Sequence, residues 1–286
     1  MSLELSVLAS GSTGNCSLIR TPAGLFLLDA GIGPRTAAGR MNGLGAAVGD
    51  IKALCLTHLD CDHFTPTWIS TIIEHQIPVF CPADQLADIR SHARRAKKID
   101  AFDALIRPFN GEPFEPLPGV ECRTMRLAHD KQGSHAYRVA CGSHRLAYAT
   151  DMGRAPKQLI EFFLGCSILA IESNYDPDMQ LGSLRPQRLK QRIMGGAGHL
   201  SNAEAFALVQ AIFDTTTAQS GSGRLPAHVV LLHRSRQCNC PEIVTRLFSS
   251  DERIGCRLTL SHPFERTDWL KPVARPVLPG EQLRLF

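Results

Sequence analysis

The chain has 286 residues, of which 44% are hydrophobic and 20% charged, with a formal net charge of +4. This balance excludes a disordered or low-complexity chain, and the length allows one large domain or two small ones. No apolar run approaches the roughly 18–20 residues a membrane-spanning helix requires, so no membrane partner is expected. In chain order, residues 5–10 and 25–31 read as strands, with turns at 11–15 and 21–24, and residues 51–57 as another strand. Residues 65–75 suit a helix, 79–82 a short strand, and 85–102 carry a continuous helical period. Three strands are expected over 119–129, 134–142 and 144–151, a helix over 156–165 and a buried strand over 167–173. A long helix over 201–216 has Ser201 or Asn202 as its cap and Glu204 in its first turn. A strand at 228–233 and a helix at 240–248 complete the pattern, which fits layered sheets covered by helices. The domain is drawn at residues 1–264; residues 265–286, with three prolines and a glycine, read as an extended tail.

Residues 1–19 lack a basic leader and read as a strand entering a turn, so no signal peptide and a cytoplasmic location are expected. Cys55, Cys141, Cys166 and Cys256 lie in or beside apolar stretches, and Cys238 and Cys240 have the wrong spacing for a redox or zinc pair. Reduced thiols follow. Arg90, Arg94, Arg95, Lys97 and Lys98 form one basic cluster, and Arg185, Arg188, Lys190 and Arg192 a second. Such clusters are either phosphate-binding footprints or solvated helix faces.

The densest chemistry is His58-Leu59-Asp60-Cys61-Asp62-His63, directly after a strand. No apolar core calls for two imidazoles and two carboxylates within six residues, since their desolvation needs compensating positive charge. Two divalent cations supply it. His58 and Asp60 can face one ion while Asp62 and His63 face the other. His129, Asp151 and His233 each end a predicted strand and complete the ligand count, with Asp151 as the bridging carboxylate.

This order of motifs, with the segments at 57–63, 128–130, 148–153, 170–176, 195–202 and 231–242, resembles the metallo-β-lactamase superfamily. More narrowly it is similar to the bacterial YycJ or WalJ branch, which is associated with nucleic-acid hydrolysis. The resemblance implies a four-layer αββα sandwich and a site for two ions of manganese, zinc or iron. It implies a metal-dependent phosphodiesterase, in the first instance a DNA exonuclease or repair nuclease that uses a metal-activated hydroxide. The alternatives are a hydrolase of a small cyclic phosphodiester, thioester or lactone, or a non-catalytic metal-binding scaffold. The family usually has His where Asp60 stands, and this harder ligand favours manganese or iron over zinc, or weakens the first site. Arg234 and Cys238 also depart from the branch pattern.

Asp62, Asp151 and His199 are the expected catalytic groups, with His199 either donating a proton or bonding the adjacent backbone. Asp29 either orients a ligand or forms a turn before Gly31. Ser12 and Asn15, in the turn at 11–15, either receive an anion or simply shape the turn. Asn174, Arg234 and Arg236 are the remaining candidate substrate contacts, with DNA as the expected partner. The last five residues contain Gln282, Leu283, Leu285 and Phe286 and resemble the peptide that docks bacterial repair proteins on the DNA sliding clamp. A tail strand on the protein's own domain is the competing reading.

Overall fold

The computed structural model describes residues 3–220 and 225–272. Two sheets lie face to face. The first runs in the order β1 (Glu4–Ala9), β2 (Cys16–Thr21), β3 (Gly24–Leu28), β4 (Ile51–Cys55), β5 (Val79–Pro82) and β6 (Ile106–Phe109). Its first three strands pair antiparallel, and from β3 onward the pairing is parallel. The second sheet contains β7 (Phe114–Leu117), β8 (Val120–Leu127), β9 (Ser134–Cys141), β10 (His144–Ala149), β11 (Ile168–Glu172), β12 (His228–Leu232) and β13 (Leu258–Leu260), again consecutive. Here β7 to β10 are antiparallel and β10 to β13 parallel.

The period of two within each strand assigns side chains to layers. In β3, Phe26 and Leu28 enter the core between the sheets, while Leu25 and Leu27 face helices. In β12, Val230 and Leu232 enter the same central core, while Val229 and Leu231 face outward to helices. Strands covered on both faces become unbroken apolar runs, as both sequences show. Helices α1 (Pro34–Met41), α2 (Trp68–Glu74), α3 (Leu86–Arg95) and α4 (Ile99–Asp103) contribute Met41, Trp68, Ile89 and Phe102 to the outer core of the first sheet. The second is covered by α5 (Gln158–Phe163), α8 (Asn202–Ser220) and α9 (Pro241–Phe248), through Leu159, Phe213 and Phe248. Helices α6 (Pro177–Gly182) and α7 (Gln187–Met194) lie in the connection before α8. The expected αββα sandwich is therefore present.

Several local expectations change. Cys16–Thr21 is a strand, inserted between two segments read as neighbouring strands. The continuous helical period at 85–102 is two helices, broken where Lys97 adopts φ +55°. Strands β6, β7 and β13 and helices α6 and α7 were not expected. Ser201 is the cap of α8: Glu204 N–H donates to its Oγ at 3.3 Å, and Glu204 Oε2 accepts from the Ser201 amide at 2.9 Å. All ten cysteines are unpaired.

The chain beyond Phe264 continues along the first sheet. Thr267 N–H donates to the Val7 carbonyl, and Leu5 and Leu270 exchange both backbone hydrogen bonds at 3.1 and 2.8 Å. Trp269 lies under the Arg20 guanidinium, 3.9 Å from the ring centroid. This short pairing covers the free edge of β1. The peptide containing Gln282, Leu283, Leu285 and Phe286 lies outside the described residues. Among the described residues no helix is long and apolar enough to cross a membrane.

Candidate metal centre

The site lies where parallel strands of both sheets end. Asp29 follows β3, His58 to His63 follow β4, Asp151 follows β10, Glu172 ends β11 and His233 follows β12. Asp29, Asp151 and His233 have φ values of 61°, 52° and 48°. The left-handed conformation turns each chain sharply as it leaves the sheet; outside glycine it is uncommon and clusters at functional sites.

All seven expected ligands converge. Asp60 Oδ2 lies 3.7 Å from both His58 Nε2 and His129 Nε2. Asp62 Oδ2 lies 3.6 Å from His233 Nε2 and 3.9 Å from His63 Nε2. These separations exceed a hydrogen bond. They match two donors about 2.1 Å from a shared tetrahedral cation, which stand roughly 3.4 Å apart. Asp151 joins the two triads, with Oδ1 3.8 Å from His129 Nε2 and Oδ2 2.9 Å from His63 Nε2.

The hydrogen bonds also set the imidazole tautomers. Asp29 is fully buried and accepts from the Thr57 amide and hydroxyl at 2.8 and 3.0 Å. With its proton directed to Asp29, the Thr57 hydroxyl accepts from His58 Nδ1 at 2.9 Å. Asp29 Oδ2 receives His63 Nδ1 at 2.8 Å, and the Gly198 carbonyl receives His129 Nδ1 at 2.9 Å. His233 Nδ1 donates to Asp151 Oδ2 at 2.8 Å. Each ring therefore turns its Nε2 inward, where a bound cation would take the place of any proton on it. His58 Nε2 and His233 Nε2 are buried without a hydrogen-bond partner. Two orphaned nitrogens beside carboxylates fit divalent cations, which resolve both the missing partner and the crowded negative charge.

Electrostatics fit the same reading. Burial, followed by the His63 ring, drives His58 well below the usual imidazole range and keeps it neutral. Burial opposes charge on Asp151, yet His233 and His63 hold its carboxyl well below the ordinary range. Burial also opposes a charged His129, but Asp60 and Asp151 raise it to about 9. An imidazole held protonated by carboxylates occupies a place a cation can take.

Asn15 serves this loop directly. It is buried, and its Nδ2 lies 2.9 Å from His63 Nε2 and 3.4 Å from Asp62 Oδ2. Gly31 permits the approach: a Cβ there would lie 1.8 Å from the Asp62 carbonyl oxygen. Asn174 is buried, and its amide donates to the His233 carbonyl at 2.7 Å, bracing that turn. Arg234 is half-buried and donates to the Ser261 carbonyl. Ser12 and Arg236 are exposed and border a separate cavity with Thr13, Arg185 and Gln237.

His199 stands between His129 and His233, with ring centroids 5.2 and 5.1 Å away. Its Nδ1 is 2.7 Å from Oε1 of Glu172, whose other oxygen accepts from the Met152 amide. Glu172, Asp151, His199 and His233 form a further group with metal-ligand spacing. Sequence reading missed the Glu172 contact and the Thr57 relay. Glu172 carried the available signal, a carboxylate ending a wholly buried apolar strand. A cavity of about 610 Å³ opens onto His58, Asp60 and His129, with Lys131 and Arg192 at its rim.

Comparison with known proteins agrees with this architecture. The profile of the beta-lactamase superfamily domain matches residues 25–219. The chain is 25% identical over 252 residues to the exodeoxyribonuclease YycJ of Bacillus anthracis, a match covering 85% of this chain and 86% of that one. It is 22% identical over 258 residues to the exodeoxyribonuclease WalJ of Streptococcus pneumoniae, covering 88% and 91%. The metallo-beta-lactamase fold protein YhfI from Bacillus subtilis superposes with a TM-score of 0.64 at 14% identity, over 93% of this chain and 99% of that one. The chain belongs to the metallo-β-lactamase superfamily and carries the metal-binding centre of a metal-dependent hydrolase.

Proposed function

We propose that this protein hydrolyses phosphodiesters. The observation that carries the reading is the charge around the ligand set: Lys131 borders the larger cavity, and Arg234 and Arg236 follow His233. A neutral lactone or thioester would leave these cations without a counterpart; a phosphodiester would not. His58, Asp60 and His129 would hold one divalent ion and Asp62, His63 and His233 a second, with Asp151 within reach of both. Once bound, the ions supply Lewis acidity, making a water more acidic and offsetting charge on a phosphoryl oxygen. Asn15, Asp29 and Thr57 keep the ligand loop in register. Glu172 holds His199 through Nδ1, so the ring is fixed to pass a proton to the departing oxygen. The hard carboxylate of Asp60 favours manganese or iron over zinc.

A small phosphodiester fits wholly within the cavity of about 610 Å³, and this favours a substrate of nucleotide size. The second reading, a DNA exonuclease that takes the end of a strand into the same cavity, is supported by the relatives whose names carry that activity. The deciding experiment incubates manganese- or zinc-loaded protein with bis-p-nitrophenyl phosphate, cyclic dinucleotides and single-stranded DNA. Turnover of at least one is expected; inactivity on all three, with full metal content, refutes the proposal. The peptide at Gln282, Leu283, Leu285 and Phe286 supports docking on a sliding clamp as a separate property. Deleting residues 282–286 should abolish clamp binding and spare hydrolysis, and clamp affinity that survives the deletion refutes that docking.

A further inference from the structure

The larger cavity is not the only concavity beside the centre. A second, of about 420 Å³, is lined by Ser12, Thr13, Arg185, Arg236 and Gln237. Its walls come from segments that also build the metal site. Ser12 and Thr13 precede Asn15, whose amide touches His63, and Arg236 and Gln237 follow His233 in the chain. The larger cavity borders the His58, Asp60 and His129 side instead. The second cavity is thus built on the loops that carry Asn15 and His233.

The arginines of the second cavity are held in place without an acidic partner, unlike the ion-paired arginines elsewhere on the surface. Arg90, Arg123, Arg126, Arg192, Arg253 and Arg266 each meet a carboxylate. Among the described residues, Arg185 and Arg236 have no carboxylate within ion-pair distance. Arg185 is fixed by neutral acceptors alone: Gln237 Oε1 and Gln180 Oε1 at 3.1 Å and Ser235 Oγ at 3.2 Å. Gln180 is fully buried, so this anchor is rigid. Arg236 is steadied differently, with its guanidinium over the Phe264 ring, 4.8 Å from the centroid. Arg234, behind them, donates to a carbonyl, which leaves the corner with a third uncompensated guanidinium. Preorganised arginine forks that lack an acidic partner are receptors for phosphate oxygens.

We infer that Arg185 and Arg236 form a second phosphate subsite, which engages a phosphate of a single-stranded polynucleotide while another linkage of the same strand lies at the metal centre. Helix α7 joins the two regions. Arg185 stands just before it, Arg192 lies near its end at the larger cavity, and its eight residues rise about 12 Å. A small phosphodiester occupies the centre and one cavity only; a chain with repeated phosphates uses both. The inference rests on the phosphodiesterase reading and, of its two substrate classes, takes the second, a polymer.

The test uses metal-loaded protein and the double variant Arg185→Ala/Arg236→Ala, with Arg185→Lys as a milder probe. Binding is measured with a fluorescent, phosphorothioate-linked oligothymidylate as the salt concentration varies. The double variant should weaken binding about tenfold or more and flatten the dependence of log Kd on log salt by about 1.4, the effect of losing two phosphate contacts on a single strand. Arg185→Lys keeps the charge but not the fork, and should fall between wild type and the double variant. The kcat/KM ratio for oligothymidylate over bis-p-nitrophenyl phosphate should fall at least tenfold. Unchanged affinity and salt slope overturn the inference, as does an equal loss on both substrates with normal metal content. Should the wild type turn over neither substrate, the phosphodiesterase reading falls on its own, and the binding arm still decides the subsite.

Discussion

The two halves of the molecule repeat one plan. Each sheet begins as an antiparallel meander and passes into parallel strands, and each presents metal ligands where those parallel strands end. They differ in how the ligands are carried. In the first half, His58, Asp60, Asp62 and His63 share one loop, which Asn15, Gly31 and the Asp29–Thr57 relay grip as a unit. In the second half, His129, Asp151 and His233 arrive on three separate segments. On the two-ion reading a single loop would tie the geometry of both ions together, whereas separated ligands can be lost one at a time. Asp151 is the exception in its half, because each of its oxygens faces a different triad.

Four substitutions can break or sharpen this comparison. The largest effect belongs to Asp151→Ala, which removes the shared carboxylate: both ions should be lost, and turnover should fall by on the order of 10³ or more. Elemental analysis alongside kinetics checks this, and retention of two ions would contradict a bridging role. Gly31→Ala comes next, because its Cβ would collide with the Asp62 carbonyl. If the loop behaves as one body, affinity for both ions should fall together, with a stability loss of about 1–3 kcal/mol. Calorimetric metal titration and thermal unfolding measure the two, and a change confined to one ion would show that the loop is divisible.

In the second half, Glu172→Gln can keep one oxygen for the amides of Met152 and Leu200, but it would turn an NH2 toward His199 Nδ1 and remove the charge beside that ring. A loss of about 10- to 100-fold in turnover is expected with metal content intact. The double variant with His199→Ala should be no worse than His199→Ala alone, since the two act as one unit. Additive losses would separate them. The smallest effect on rate is expected from Asp60→His, which should shift competitive loading from manganese toward zinc while both ions remain. Inductively coupled plasma mass spectrometry after exposure to both metals reads that preference, and an unchanged ratio would remove Asp60 as its determinant.

The difference between the halves also explains what could be read in advance. The hexapeptide from His58 to His63 is conspicuous because its ligands are sequence neighbours after a strand. His129, Asp151 and His233 were legible only as polar residues ending apolar strands, and Glu172 ended its strand in the same way without revealing a partner. Strand β2 escaped notice because Ser17, Arg20 and Thr21 dilute its apolar character, although pairing with β1 and β3 buries most of it. Helix α7 buries only Ile193, too little to give an apolar stripe. The period at 85–102 ran on through Lys97 because local propensity does not register a turn imposed by packing. Ile89, Ala93 and Phe102 reach one core only if the chain bends there.

From sequence alone came the layered fold and the cluster of ligand-type residues, because alternation of apolar residues and charge at strand ends are local properties. Only the folded chain decided which nitrogen of each histidine faces inward, that Asn15 and Asn174 brace the ligand turns, and that Arg185 and Arg236 line one cavity. Those facts depend on hydrogen bonds and contacts between residues as much as 223 positions apart, such as the Ser10 hydroxyl that accepts the His233 amide. Sheet pairing and packing, which no local pattern encodes, bring such partners together.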